Sequence, residues 1–245
     1  IIKSKIKEFV YKMKSQNKII AGVGAATKGN TLLNYCNLTS KHIDVDHKII
    51  NIQDCMNILS SSLTDKNKSI PKGHYEDENM KETFVPNRNA IFTSILYGYA
   101  LTISKKHNDS NISISLGVHS GDHSIYPDCR EEFYLKLFDS FKVGNWDSNK
   151  IKLYLPYLNL DKAQILSDAK ISIESLKLDF NTIFKNTLTS YEPDYKGRSN
   201  GKTGSDIERI IAFHKNGLKD PIDYIDSWKN VLENALITEK EFKAN

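Results

Sequence analysis

The sequence predicts an α/β protein in which helices flank a parallel sheet. Strand-like apolar runs, such as NISISLGV at 111–118, alternate with amphipathic segments of helical period, such as 89–106. The chain has 245 residues, of which 39% are hydrophobic and 26% are charged. This composition supplies enough apolar material for the core of one larger domain or two small ones.

The first third of the chain is expected to alternate helix and strand before entering a loop. Apolar side chains at helical spacing predict a helix over 3–16, and Gly-rich NKIIAGVGAA reads as a strand entering a tight turn. A helix over 28–38, a second strand candidate over 42–53 and a polar surface loop over 60–82 follow.

The remaining elements follow from the same periodicities. Two amphipathic helices are predicted on either side of the strand 111–118, and KLYLPYLNL reads as extended chain. Asp161 is expected to cap the next helix, and Gly217 to end a later one. The predicted segments are helices at 89–106, 130–144, 162–170 and 207–217, extended chain at 152–160, a Gly-rich loop at 186–206 and a helical C-terminal end.

Charge and cysteine usage narrow the class of protein. The net charge of +4 suits an anionic ligand but does not by itself indicate nucleic-acid binding. No apolar run approaches the roughly 20 residues of a membrane-spanning helix. Three cysteines without a CxxC pair fit a reducing, cytoplasmic setting.

The stretch GVHSGDHSIYPDCREEF at 117–133 concentrates titratable groups where a core strand ends. An ordinary turn needs Gly, Asn or Asp, but not two histidines, two aspartates and an arginine together. Ligands of parallel α/β sheets bind at the carboxyl ends of strands. Arg88 and Asn89, at the start of a predicted helix, add a natural anion site. The loop is therefore predicted to line a pocket for a polar or charged small molecule.

Several motifs together resemble the 7-cyano-7-deazaguanine synthase family over about residues 42–225. The matching stretches, in family order, are TFVPNRN, GVHSGD, YPDCREEF, LPYLNLDKAQIL and IERIIAFHKNGLKDP. The resemblance implies a Rossmann-like, adenine-nucleotide α-hydrolase-like fold. It also implies an ATP-dependent ligase, acting with Mg²⁺, that converts 7-carboxy-7-deazaguanine and ammonia into the nitrile through an adenylated carboxylate.

The same resemblance assigns roles to individual side chains. Lys162 would reach the phosphates, and Asp122 and Arg130 would act at the reacting carboxylate. The implied substrate-binding residues are Arg88, Asn89, Tyr126, Pro127 and Asp128. The expected partners are the deazapurine substrate and ammonia. Direct contact with nucleic acid or with a membrane is not expected, and a homodimer is one possible oligomeric state.

Other roles for residues of this loop stay open. His119 and His123 are either metal ligands or a proton relay, or polar residues that line the pocket. Cys129 is either a nucleophile or a packing residue of the pocket wall.

The chain departs from the family pattern at a zinc site. Family members carry Cys-x9-Cys-x2-Cys-x2-Cys, whereas this chain has Ser190, Asn200, Thr203 and Asp206 at that spacing. Structural zinc sites of this type need thiolates, so zinc is predicted to be absent. Without zinc, the loop is either held by hydrogen bonds or loose, because the free energy of zinc binding contributes to folding.

A second departure lies near the N-terminus. The family's Ser-Gly-Gly-x-Asp-Ser loop, which grips ATP pyrophosphate, does not occur in the printed sequence. Residues 1–46 instead resemble the C-terminal domain of SAM-dependent C-methyltransferases, which divides the chain into 1–46 and a synthase-like domain over 47–245. A Gly-rich turn there is either a replacement phosphate cradle or a packing turn, and its candidate nucleotide-binding residues are Gly22, Gly24, Lys28, Gly29 and Thr31. An inactive deazapurine-binding protein is the alternative to a working enzyme.

Overall fold

The computed structural model describes residues 50–108 and 112–244. The elements predicted before residue 50 lie outside these residues. The chain divides into two compact units. We call residues 53–71 and 76–161 the α/β unit. The helical unit comprises, within the described residues, 50–52, 72–75 and 162–244.

The α/β unit is built on a two-stranded parallel sheet in the described part of the chain. Strand β1 (Ile112–Ser115) pairs with β2 (Ile151–Tyr154), Ile112 lying opposite Ile151. Helices α1 (Gln53–Asn57), α2 (Arg88–His107) and α3 (Glu131–Gly144) belong to the same unit. Short 3₁₀ helices cover Glu78–Thr83, Ser120–Asp122, Pro127–Cys129 and Ser148–Lys150.

The core of the α/β unit lies where α2 and α3 pack on the sheet. Tyr97, Phe138, Ile114 and Ile151 are all buried there. The ring of Tyr97 meets that of Phe138 edge-on, with 5.4 Å between centroids. The parallel sheet with flanking helices confirms the predicted α/β, Rossmann-like class.

The helical unit contains four helices in its described part. These are α4 (Lys162–Ser175), α5 (Phe180–Lys185), α6 (Gly204–Lys215) and α7 (Trp228–Ala244). Helix α6 is the most buried of them, and its Ile207 and Ile210 pack against Val231 and Ala235 of α7. Phe213, on the same helix, packs with Leu166 of α4.

Several predicted boundaries shift for local reasons. Strand β1 ends at Ser115, two residues before Gly117, and the predicted extension to 118 is wrong. Strand β2 stops at Tyr154, because Pro156 has no N–H to continue the ladder, and residues 155–160 turn instead. Gln53, predicted as the end of a strand, begins α1.

Helix α6 ends at Lys215, and its C-terminal cap is closed by the predicted stop residue, Gly217. That residue has φ +65°, and its N–H donates to the carbonyl of His214. The N–H of Leu218 reaches back to the carbonyl of Phe213, which completes a Schellman cap.

In the part of the chain that the structure describes, no helix combines the length and the apolar character needed to cross a bilayer.

Candidate functional site

The polar loop that follows β1 is folded tightly by its own backbone. The N–H of Ser120 donates to the carbonyl of Leu160 at 3.0 Å, which ties the loop to the segment that follows β2. The N–H of Tyr126 donates to the carbonyl of Asp122 at 2.8 Å. Since β1 and β2 are parallel, both segments leave the sheet at its carboxyl edge, where the sequence placed the site.

The second half of the loop lies against the N-terminus of α2. The backbone N–H of Asn89 donates to Oδ2 of Asp128 at 3.3 Å. The Asn89 amide donates to the Asp128 carbonyl and to Sγ of Cys129, both at 3.3 Å. A helix N-terminus carries unpaired N–H groups and a partial positive charge, so a carboxylate is favoured there. The structure thus brings together Asn89 and Asp128, two predicted substrate-binding residues.

Asp128 is the most unusual group in this region. Its residue is only 5% exposed, and its Oδ1 is buried without a hydrogen-bond partner among the described residues. Burial raises the pKa of this carboxyl, while the N–H of Asn89 and the charge of Arg88 act in the opposite direction. A buried oxygen without a partner is costly, and it marks a place where a donor from a ligand would be stabilising.

Tyr126 has a structural partner in the same unit. Its ring is buried, and its hydroxyl is hydrogen-bonded to Oγ1 of Thr83. Thr83 donates its own hydrogen to the carbonyl of Met80 at 2.7 Å, so the hydrogen between the two hydroxyls comes from Tyr126. Tyr126 therefore anchors the YPDCR segment to the 3₁₀ helix at Glu78–Thr83.

The remaining predicted residues of the α/β unit are more open. Arg130 is exposed and donates through Nε to the carbonyl of His123 at 2.9 Å, immediately before α3. Pro127 is exposed as the first residue of its 3₁₀ helix. Asp122 lies 3.5 Å from Nε2 of His119.

The environments of His119 and Cys129 bear on the alternatives left open by the sequence. Nδ1 of His119 accepts a hydrogen bond from the N–H of Gly121 at 3.2 Å, so this ring nitrogen is already bonded within the loop. Among the described residues, no three His, Cys, Asp or Glu side chains converge to hold a metal ion. Burial, together with Asp122 and Asp128, raises the pKa of the Cys129 thiol. That environment favours a packing thiol over a nucleophilic thiolate.

Lys162 lies in the helical unit, at the start of α4. Its ammonium is paired with the carboxylate of Glu208 on α6 and lies 5.5 Å from the ring centroid of Tyr75. The five predicted nucleotide-binding residues between 22 and 31 lie outside the described residues.

The four positions of the family's zinc cysteines also lie in the helical unit. The structure brings Ser190, Thr203 and Asp206 together, whereas the side chain of Asn200 is bound to Glu192. Hydroxyl, amide and carboxylate groups do not make a structural zinc site, which uses Cys and His ligands.

Some residues of these regions escaped sequence reasoning. Thr83 and Glu208 gave no local signal, because their partners lie far away along the chain. The pattern Thr203-x-x-Asp206 before an apolar run is a capping-box signal, and it could have predicted the start of α6 from the sequence.

These features define an α/β protein with a group of polar side chains at the carboxyl edge of a parallel sheet. The family model described as "Queuosine biosynthesis protein QueC" matches residues 13–217. The chain therefore belongs to the QueC family. Helix α7 lies beyond the matched residues, and the methyltransferase resemblance of residues 1–46 stays a prediction.

Curated relatives agree with this assignment. The chain is 40% identical over 193 residues to 7-cyano-7-deazaguanine synthase 1 of Colwellia psychrerythraea. The matched region covers 78% of this chain and 80% of that protein. It is 40% identical over 188 residues to the synthase of Psychromonas ingrahamii (76% and 77%). It is 38% identical over 186 residues to that of Methanoregula boonei (76% and 77%).

Proposed function

We propose that this protein is a 7-cyano-7-deazaguanine synthase. It would convert 7-carboxy-7-deazaguanine and ammonia into the nitrile, with ATP and Mg²⁺, in the cytoplasm. Membership of the QueC family and the names of its relatives support the reaction class. The observation that carries the proposal is Oδ1 of Asp128, beside the start of α2, which is buried and has no hydrogen-bond partner within residues 50–108 and 112–244.

Asp128 suits a guanine-like ligand. The edge of a guanine-like base presents N–H donors, and Oδ1 of Asp128 is an acceptor to which no donor of the described part of the chain is bonded. Hydrogen bonds to an ionised acceptor are the stronger kind. Arg88 contributes positive charge beside Asp128, and it would neutralise the carboxylate that the substrate carries.

The proposed chemistry needs two activations of the same carbon. ATP first adenylates the carboxylate with release of pyrophosphate, and ammonia displaces AMP to give an amide. A second ATP adenylates the amide oxygen, again releasing pyrophosphate, and that oxygen leaves as part of AMP when the nitrile forms. Such transfers depend on positioning the phosphates and stabilising their charge. Lys162 and the Gly-rich segment at 22–31 are the proposed phosphate contacts, and Mg²⁺ would arrive with phosphate oxygens as its ligands.

Calorimetric titration of the full chain with 7-carboxy-7-deazaguanine, with and without a non-hydrolysable Mg-ATP analogue, tests binding. Mass spectrometry after incubation with Mg-ATP and ammonia tests turnover, and a reaction without ammonia is the control. We expect ligand binding, and a nitrile product only in the complete mixture. Binding without nitrile or AMP would favour the inactive deazapurine-binding alternative. No binding would overturn the assignment of the site.

A further inference from the structure

Asp206 is the centre of a buried hydrogen-bond cluster at the start of α6. Its residue is 1% exposed, and four donors converge on its carboxylate. Oδ1 accepts from the hydroxyl of Ser199 at 2.8 Å. Oδ2 accepts from the hydroxyls of Ser190 and Thr203, at 3.0 and 2.6 Å, and from the Thr203 N–H at 3.2 Å. We call these four residues the Asp206 cluster.

The Asp206 cluster occupies the position of the family's cysteine set. Ser190, Thr203 and Asp206 stand at three of the four cysteine positions, and they meet one another. At the fourth position, the Asn200 amide donates to Glu192 at 2.8 Å, and its carbonyl oxygen accepts the N–H of Lys202. The neighbouring Ser199, fully buried, supplies the fourth side chain instead.

The groups of the cluster satisfy one another. Each hydroxyl hydrogen is directed at the carboxylate, so its oxygen is oriented toward Asp206 rather than toward a shared central ion. Structural zinc is held by thiolate and imidazole ligands, and the cluster offers neither. Since a buried charge is tolerated only when it is hydrogen-bonded or paired, four donors account for the burial of Asp206.

The cluster also connects the loop to the helix. Asp206 is the third residue of α6 and forms a capping box with Thr203, where the helix dipole favours a negative charge. The N–H of Gly201 donates to the Ser199 hydroxyl at 3.0 Å, and the Ser205 hydroxyl donates to the carbonyl of Thr189 at 2.9 Å. The loop that contains residues 189–203 is thereby fastened to the helix at both ends.

We propose that the Asp206 carboxylate replaces the family's zinc in this chain, so that the 189–206 loop is held by hydrogen bonds and folds without a structural metal. The proposal does not depend on the reaction that the protein catalyses.

The first test uses the full chain produced in zinc-supplemented medium. Its metal content is measured by inductively coupled plasma mass spectrometry, and its thermal unfolding is followed with and without a chelator. We expect zinc far below one ion per chain and an unfolding midpoint that the chelator does not shift. Stoichiometric zinc, or a midpoint that falls with the chelator, would overturn the proposal.

Variants test the role of the carboxylate. Asp206→Ala leaves the buried hydroxyls of Ser199 and Thr203, and the half-buried hydroxyl of Ser190, without their acceptor. We expect it to lower the unfolding midpoint by about 5–10 °C. Asn200→Ala, at a family cysteine position but outside the cluster, is the matched control and should shift it by at most about 2 °C. Equal midpoints for Asp206→Ala and the unmodified chain would overturn the proposal. If the Asp206→Ala variant fails to fold, the zinc content of the unmodified chain still tests whether the loop contains a structural metal.

Discussion

The backbone N–H of Asn89 donates to Oδ2 of Asp128, joining two residues that lie 39 positions apart in the sequence. One carboxylate oxygen is thus held by the protein at the N-terminus of α2. The other oxygen, Oδ1, is buried and lacks a partner among the described residues. The contact fixes the orientation of the group that we propose as the acceptor for the deazapurine.

Asp128→Asn should weaken binding of 7-carboxy-7-deazaguanine. The substitution keeps the size of the side chain but removes the charge and one acceptor. Loss of one hydrogen bond to a charged group corresponds to about a tenfold to hundredfold rise in Kd, measurable by calorimetry. Asp139→Asn, on the exposed face of α3, is the matched control and should leave Kd unchanged. Equal Kd values for both variants would remove Asp128 from the site.

Ligand affinity should depend on pH through Asp128. Burial raises the pKa of this carboxyl, and the ionised form is the one that accepts the ligand's N–H. Below that pKa the proton must leave before the ligand binds, so affinity should rise as pH rises through it and then level off. Titration calorimetry across the acidic range measures the effect. Asp128→Asn should lack this component, and an unchanged pH profile in the variant would contradict the assignment.

Gly201→Ala should destabilise the helical unit more than Gly197→Ala. Both glycines have positive φ, +71° and +76°, so alanine is strained at each. At Gly201 a Cβ would also lie 2.8 Å from Cγ1 of Val231, whereas at Gly197 it would meet nothing within 4 Å. We expect losses of about 2–4 and about 1 kcal/mol in the free energy of unfolding. Chemical denaturation measures both, and equal losses would mean that the contact with α7 is not tight.

Asp220→Ala should be strongly destabilising. Asp220 is fully buried and accepts from two nitrogens of Arg209, itself 5% exposed, and from the Tyr224 hydroxyl at 2.9 Å. Removing the carboxylate leaves a buried guanidinium uncompensated, which costs about 3–5 kcal/mol. The pair of Glu132 and Lys136 is the comparison, because both side chains are exposed to solvent and Glu132→Ala should therefore be far less destabilising. A similar cost for the two would show that Arg209 finds another partner.

Lys162→Ala tests the proposed phosphate contact. If Lys162 stabilises the reacting phosphates, kcat for nitrile formation should fall by about a hundredfold or more, with less effect on Kd for the deazapurine. Lys170→Ala, exposed on the same helix, is the control. Because Lys162 also pairs with Glu208, unfolding should be measured alongside activity. Unchanged kcat in a folded Lys162→Ala variant would leave that lysine a structural role only.

Local pattern predicted most elements of the described chain. The helix expected at 89–106 is Arg88–His107, because apolar side chains at helical spacing indicate a buried face directly. The strand expected at 111–118 was confirmed over Ile112–Ser115. Several errors lie at the ends of elements, where Pro156 and the turn at Gly117 decide the boundary. Two helices were missed: Gln53, predicted as strand, begins α1, and no helix was predicted over Phe180–Lys185.

Contacts between segments that are distant in the chain could not be predicted from local sequence patterns. The sequence placed Asp128 and Asn89 near one pocket, but not in a direct hydrogen bond. It offered Tyr126 for substrate binding, whereas its hydroxyl contacts Thr83, a residue 43 positions away with no distinguishing signal. The pairing of Lys162 with Glu208 likewise depends on how α4 packs beside α6.

Residues 72–75 belong to the helical unit although they precede most of the α/β unit in the chain. His74 stacks on Phe242 at 3.7 Å and contacts Glu239 at 3.0 Å, and both partners lie on α7. During synthesis the ribosome therefore makes His74 more than 160 residues before its partners on α7. The α/β unit has all of its own residues once position 161 has emerged, whereas this contact must wait for the last helix. Translation therefore makes every residue of the α/β unit available before the helical unit can form this contact.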